Sequence, residues 1–260
     1  MADDSGTYVF FVGAGPGAVD LITVRGVRLL EKADVIVWAG SLVNGELLDF
    51  ARKDAAVFDS STMSLEETTR VLCEASASKK LCVRLHTGDP SIFGAIREQM
   101  EELDVRGVRY EVVPGVSSFS AAAAVLKTEY TVPGISQSLI ITRMEGRTPV
   151  PGRERLRAMA AHGTSMALFL SSSMIESVVD ELLLGGVYTK ETPAAVVYKA
   201  TWKDERTIRG ILGDIAKKCV DAGIKKTALI LVGEFLGAAY NKSKLYDKTF
   251  ETGFRKRRDV

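Results

Sequence analysis

The sequence is poor in the residues that build covalent or metal frameworks. Its three cysteines, Cys73, Cys82 and Cys219, are odd in number and nowhere spaced CxxC. That argues against a disulfide scaffold or a structural zinc site and for a reducing, cytoplasmic setting. Two histidines, His86 and His162, are too few for a metal cage, so no metal is expected. No apolar run approaches the roughly 18–20 residues of a membrane span; Ala121–Leu126 and Ala228–Val232 are the longest candidates. Met1–Thr7 is polar and acidic and lacks the basic and apolar regions of a secretory signal. An excess of one charge is missing too. With 34 Lys+Arg against 33 Asp+Glu, the formal net charge is +1, which gives no field to hold nucleic acid or an anionic membrane. The one dense basic run, Arg255-Lys256-Arg257-Arg258, reads as a solvated tail. No repeat of 20–50 residues is found, and Ser171-Ser172-Ser173 lacks the G-x-S-x-G frame of an activated serine.

What remains is a globular chain of 260 residues, 46% hydrophobic and 26% charged, long enough for one large or two modest domains. Tyr8–Val12 predicts a strand that stops at Gly13-Ala14-Gly15-Pro16-Gly17. A helix capped by Thr23 and a strand at Val35–Trp38 complete a βαβ opening. The alternation continues with a helix capped by Ser64 and Glu67, a strand at Leu81–Leu85, a helix over Ser91–Leu103, a strand at Tyr110–Val113 and a helix over Ser117–Leu126. Strands at Ser138–Arg143, Met166–Leu170, Ala194–Tyr198 and Ala228–Val232 follow, with a loop over Gly146–Arg153 and helices over Ile175–Leu184 and Ile211–Ala222. The expectation is an α/β protein of two α/β domains, residues 1–118 and 119–260.

Three strand ends carry chemistry. Gly13-Ala14-Gly15-Pro16-Gly17-Ala18 satisfies G-x-G-x-x-A after a strand, the generic mark of an NAD-type dinucleotide site. Two features oppose that: the helix starts near Thr23, not on the last glycine, and Trp38-Ala39-Gly40 offers no acid for a ribose. Thr87-Gly88-Asp89-Pro90 places a carboxylate where open α/β sheets bind ligands, or else caps a helix. Pro114-Gly115-Val116-Ser117-Ser118 offers hydroxyls and amides, or again a cap. Three such turns on one sheet should converge on one side. Arg143, Arg147, Arg153, Lys199, Lys203 and Arg206 form either a solvated face or a set of carboxylate partners.

Together, VGAGPGAVDLITVRG at Val12–Gly26, RLHTGDPSIFG at Arg84–Gly94 and VPGVSS at Val113–Ser118 resemble the signatures of the tetrapyrrole (corrin/porphyrin) methylases. The likeness extends through WAGSLVN at Trp38–Asn44, EYTVPGISQSLIITR at Glu129–Arg143, GRTPVP at Gly146–Pro151, TPAAVVYKATWKDE at Thr192–Glu205, TALILVG at Thr227–Gly233 and SKLYD at Ser243–Asp247. The joint presence of AGSLV, HTGDP and GRTP resembles the branch that methylates C-11 of a corrin precursor. The uroporphyrinogen-III branch carries an acid soon after the second strand, where this chain has Ala39-Gly40-Ser41. No catalytic base can be named.

The resemblance implies S-adenosyl-L-methionine as cofactor, with S-adenosyl-L-homocysteine as product, a tetrapyrrole substrate, a homodimer and a trough between two domains. By position it implies cofactor contacts at Pro16, at Thr87, Gly88, Asp89 and Ile92, and at Ser117 and Ser118 from the first domain. Leu170, Ala200, Thr227 and Ala228 are the matching positions of the second. A substrate rich in carboxylates needs cationic partners; Arg147 is the first candidate and His86 the second.

Overall fold

The structure is a computed structural model that describes residues 8–237, 242–243, 247 and 249–256. The N-terminal stretch 1–7, part of the SKLYD motif, and Arg257 and Arg258 of the basic run lie outside the described residues. The chain divides into two compact units. One holds the described residues up to Val125 together with Lys199–Arg206; the other holds Leu126–Tyr198 and the described residues from Thr207 onward.

The first unit is built on five strands, β1 (Val9–Gly13), β2 (Val35–Trp38), β3 (Ala56–Asp59), β4 (Cys82–His86) and β5 (Tyr110–Val113). All are parallel, in the order β3-β2-β4-β1-β5. Every residue of β1 is buried, as a strand covered on both faces must be. Phe10 and Val12 pack on one face with Leu30, Ile36 and Leu85, while Val9 and Phe11 pack on the other with Val37, Leu72 and Leu103. The helices are α1 (Val24–Leu30), α2 (Leu65–Ala77), α3 (Ile96–Val105) and α4 (Ser118–Leu126). Thr23 caps α1, its hydroxyl accepting from the Gly26 amide at 3.0 Å. Ser64 and Glu67 close a reciprocal capping box on α2.

The second unit has a mixed sheet of β6 (Leu139–Arg143), β7 (Ser165–Phe169), β8 (Pro193–Tyr198), β9 (Arg206–Ile211) and β10 (Ala228–Val232), in the order β6-β7-β10-β8-β9. β6 and β7 run parallel, while β10 is antiparallel to both β7 and β8. Helices α5 (Leu156–Ala160), α6 (Ile175–Leu184) and α7 (Ile215–Asp221) join Met166, Leu168, Val196 and Ile230 in one core.

Two helices begin later than the sequence pattern predicts. The helix expected from Ser91 starts at Ile96, because Phe93 and Ala95 hold left-handed backbone (φ 54° and 50°). Between them, Gly94 packs so closely that a Cβ there would lie 2.1 Å from the Pro90 carbonyl oxygen. The helix expected from Ile211 starts at Ile215; the residues before it form β9, and Asp214 accepts from the Ile211 amide at 3.0 Å. Strand β3 was not expected at all. All four of its residues are exposed at the sheet edge, so it lacks the alternation that marks a half-buried strand.

Candidate active site

In the first unit the carboxyl ends of β4, β1 and β5 are neighbours, so the three turns predicted to converge do so. Glycine makes the fit possible. A Cβ on Gly13 would stand 2.6 Å from Gly115 Cα, and one on Gly115 would stand 2.2 Å from the Gly88 carbonyl oxygen. Gly15 and Gly88 take left-handed backbone (φ 79° and 61°) and exchange amide hydrogen bonds across the turns.

Asp89 ties two of these turns together. One oxygen accepts from the Gly115 amide at 2.9 Å; the other accepts from the Ser91 amide at 2.8 Å and from the Ser91 hydroxyl. Partial burial pushes its pKa up, but these three hydrogen bonds outweigh burial and hold the carboxyl below its ordinary value. Asp89 is therefore a loop staple and a fixed negative charge; it does not cap α3, which starts at Ile96. Thr87, Ile92 and Ser118 are half-buried beside it, and Ser117 is buried at the start of α4.

Pro16 is buried in the first turn, and its carbonyl accepts from Trp202 Nε1 at 2.9 Å. Ala200 is buried as well; it belongs to the stretch Lys199–Arg206 that packs with the first unit. In the second unit, Leu170 follows β7 and Ala228 opens β10. Continued past the pair Ile230↔Leu168, the antiparallel register sets these two positions opposite each other at one end of the central strands, where Ala228 also pairs with Tyr198. Leu170 is 68% exposed, and both Leu170 and Thr227 hold left-handed backbone (φ 53° and 54°). Non-glycine residues in that region cost of order 1–3 kcal/mol each and cluster at functional sites.

His86 ends β4 fully inside the protein. Burial pushes its pKa down to about 3, with the charge of Arg84 adding to the effect, and no group pairs with its buried Nε2 among the described residues. It is a neutral imidazole at pH 7 and offers a substrate no positive charge. Arg147 is exposed in the loop after β6, with no acidic partner among the described residues. Arg143 braces that loop by donating to the carbonyls of Met144, Thr148 and Pro149. Of the other basic residues, Arg153 pairs with Glu154, Lys199 with Asp204 and Lys203 with Glu46. Arg147 is thus an exposed basic side chain of that set with no acidic partner among the described residues.

One acid escaped the sequence reading. Asp59, at the end of β3, lies beside Gly40 and accepts from its amide at 3.0 Å, so the neighbouring strand brings a carboxylate to the Ala39-Gly40-Ser41 turn. Its signal lay in a strand that had none of the usual pattern. Among the described residues no three His, Cys, Asp or Glu gather as a metal site, and no helix is long and apolar enough to cross a membrane.

The donor set fits a cationic adenosyl ligand better than a pyrophosphate. None of residues 13–18, 87–92 and 114–118 is Lys or Arg, and Asp89 is the only charge among them. The first glycine turn runs into a short 3₁₀ turn at Val19–Leu21, and α1 begins only at Val24, so α1 does not bring its N-terminus to that turn as a dinucleotide fold requires. Fold and site together define an α/β protein whose glycine-rich strand ends converge on one side of a parallel sheet.

Comparison with known proteins is specific. Residues 8–216 match the family Tetrapyrrole (Corrin/Porphyrin) Methylases, and the chain belongs to it. It is 55% identical to the cobalt-precorrin-4 C(11)-methyltransferase of Methanocaldococcus jannaschii, over 97% of this chain and 98% of that one. The X-ray structure of a cobalamin biosynthetic enzyme, cobalt precorrin-4 methyltransferase, superposes with a TM-score of 0.88 at 43% identity, covering 92% of this chain and 99% of that one. The uroporphyrin-III C-methyltransferase of Thermus thermophilus, solved with S-adenosylhomocysteine, superposes with a TM-score of 0.72 at 27% identity, covering 88% and 93%. The family's cofactor is S-adenosylmethionine.

Proposed function

We propose that this protein is an S-adenosylmethionine-dependent methyltransferase of cobalamin biosynthesis that methylates C-11 of precorrin-4, with the cobalt-bound form as its preferred substrate. The observation that carries the reading is 55% identity over nearly the whole of both chains to a cobalt-precorrin-4 C(11)-methyltransferase. When bound, the cofactor would supply an electrophilic methyl group, the electron pair for the new carbon–carbon bond coming from the macrocycle at C-11, that of the broken carbon–sulfur bond going to sulfur, and a proton leaving the macrocycle to solvent.

The chain's own residues then have positional work. Pro16, Thr87, Gly88, Asp89, Ile92, Ser117 and Ser118 hold the cofactor from the first unit. The fixed charge of Asp89 favours a cation, and the hydroxyls of Ser117 and Ser118 supply polar contacts. Ala200, Leu170, Thr227 and Ala228 are the further contact positions that the family's pattern implies, Leu170 offering an exposed apolar side chain. Alignment of reacting atoms at roughly 3–3.5 Å supplies about 7–11 kcal/mol of rate acceleration, so no side chain has to react. Arg147 meets the carboxylates of the tetrapyrrole, and His86 contributes at most a hydrogen bond. The reading includes action in the cytoplasm as a homodimer, supported by the free cysteines Cys73, Cys82 and Cys219 and by the exposed apolar edge of β3. No role with nucleic acid or membrane is proposed.

The test is incubation with methyl-labelled S-adenosylmethionine and, in parallel, metal-free and cobalt-bound precorrin-4, with the labelled carbon located by NMR. Label at C-11, faster with the cobalt form, is expected. Label at another carbon overturns the C-11 assignment, and faster transfer to the metal-free form overturns the substrate preference.

A further inference from the structure

The three glycines of the first turn answer to different neighbours. Gly13 makes room for Gly115, and Gly15 supplies left-handed backbone. Gly17 does neither. A Cβ on it would lie 2.1 Å from Cδ1 and 2.4 Å from Nε1 of Trp202, a residue 185 positions further along the chain that the cofactor assignment above does not use.

The peptide groups around Gly17 are held by side chains, since neither a strand nor a helix holds them. Trp202 Nε1 donates to the Pro16 carbonyl at 2.9 Å, and the Ala18 amide donates to Thr201 Oγ1 at 2.9 Å. Asn44 Nδ2 donates to the Gly17 carbonyl at 3.0 Å. Two consecutive residues, Thr201 and Trp202, thus fix both sides of Gly17.

The stretch that carries them is itself braced. Lys199 and Thr201 hold left-handed backbone (φ 47° and 71°). The Thr201 amide donates to Glu205 at 2.6 Å, Lys199 pairs with Asp204 at 2.7 Å, and Lys203 pairs with Glu46. Two strained residues, secured by an ion pair and a hydrogen bond within eight positions and by a further ion pair to Glu46, mark a conformation maintained for what it positions.

We propose that Trp202 and Thr201 are positioning residues for the cofactor: as a clip, they set the shape of Pro16–Ala18, and through that loop they set the affinity for S-adenosylmethionine. The proposal rests on the placement of Pro16 in the cofactor site. It also explains why position 17 is glycine.

The test is calorimetric titration of S-adenosylhomocysteine into the wild type, Trp202→Phe and Thr201→Val, with melting temperatures measured alongside. Trp202→Phe keeps an aromatic ring and removes the Nε1–H donor; Thr201→Val keeps the shape and removes the acceptor. Each is expected to weaken binding by roughly 3–10-fold, the worth of one hydrogen bond, and to leave the KM for the tetrapyrrole within a factor of two. Unchanged affinity in both variants overturns the proposal, as does a loss of affinity that merely follows a loss of melting temperature. Because the titration contains no tetrapyrrole, its result is independent of which carbon is methylated, and the two readings fail separately.

Discussion

Asp89 brings the only charge to a rim of glycines, hydroxyls and apolar side chains, and it spends both oxygens on neighbouring loops. Asp89→Asn keeps the shape but exchanges acceptor capacity for a donor that faces other donors. Hydrogen bonds to a charged group are worth about 1.5–3 kcal/mol, so calorimetry should show S-adenosylmethionine affinity reduced by about tenfold or more. Equal affinity would remove Asp89 from the site. Arg147 has the opposite profile, being exposed and unneeded by its own loop, which Arg143 holds. Arg147→Ala should raise the tetrapyrrole KM several-fold and leave that of S-adenosylmethionine unchanged; equal effects on both would remove its role. His86 yields a prediction about pH. Its pKa falls from 6.5 to about 3 on folding. The unfolded chain therefore takes up a proton that the native protein refuses, and stability present above pH 6.5 is lost as pH falls toward 3. The whole difference is worth roughly 4–5 kcal/mol. Between pH 7 and 5.5, above the range of the carboxylates, the melting temperature should drop with acidity in the wild type and fall less steeply in His86→Gln.

At the scale of elements, glycines and caps set the architecture on which the site depends. Gly13→Ala forces a Cβ into the backbone of the β5 turn and should abolish S-adenosylhomocysteine binding, a loss visible in the same titration. Ser64→Ala opens the capping box of α2 and should cost about 1 kcal/mol without affecting the cofactor, read as a lowered denaturation midpoint. These features were legible in the sequence because each is local. A capping box spans four residues, a buried strand is a continuous apolar run, and a glycine cluster after such a run marks a turn. Thus β2, β5, α2, α6 and β10 lie where the pattern places them, and the three turns meet as their strand ends imply. What escaped was not local. Strand β3 exists because it pairs with β2, not because Ala56–Asp59 has a pattern of its own, and Asp59 was hidden with it. The delayed start of α3 depends on two left-handed residues that no propensity encodes. The burial of His86 follows from two-sided covering of β4, which turned an apparent cation into a neutral ring.

Across the whole molecule, ligand binding and stability are linked. Any ligand that binds only the native state raises the unfolding free energy by mass action, by about 2.7 kcal/mol at a hundredfold excess over its Kd, and the melting temperature rises with it. S-adenosylhomocysteine should therefore stabilise the wild type in proportion to the logarithm of its concentration, and stabilise Trp202→Phe less at equal concentration. The assignment of Lys199–Arg206 to the first unit has a further consequence, in time. During synthesis the first 125 residues emerge roughly 80 residues ahead of the stretch that completes their unit. At about 5–20 residues per second that is a delay of ~4–16 s. Until it ends, Pro16, Gly17 and Ala18 lack the indole and hydroxyl that shape them. The nascent chain acquires the finished shape of this glycine turn only after more than half of its second unit has been translated, so a truncated product released before residue 202 carries the glycine motif without its fixed conformation.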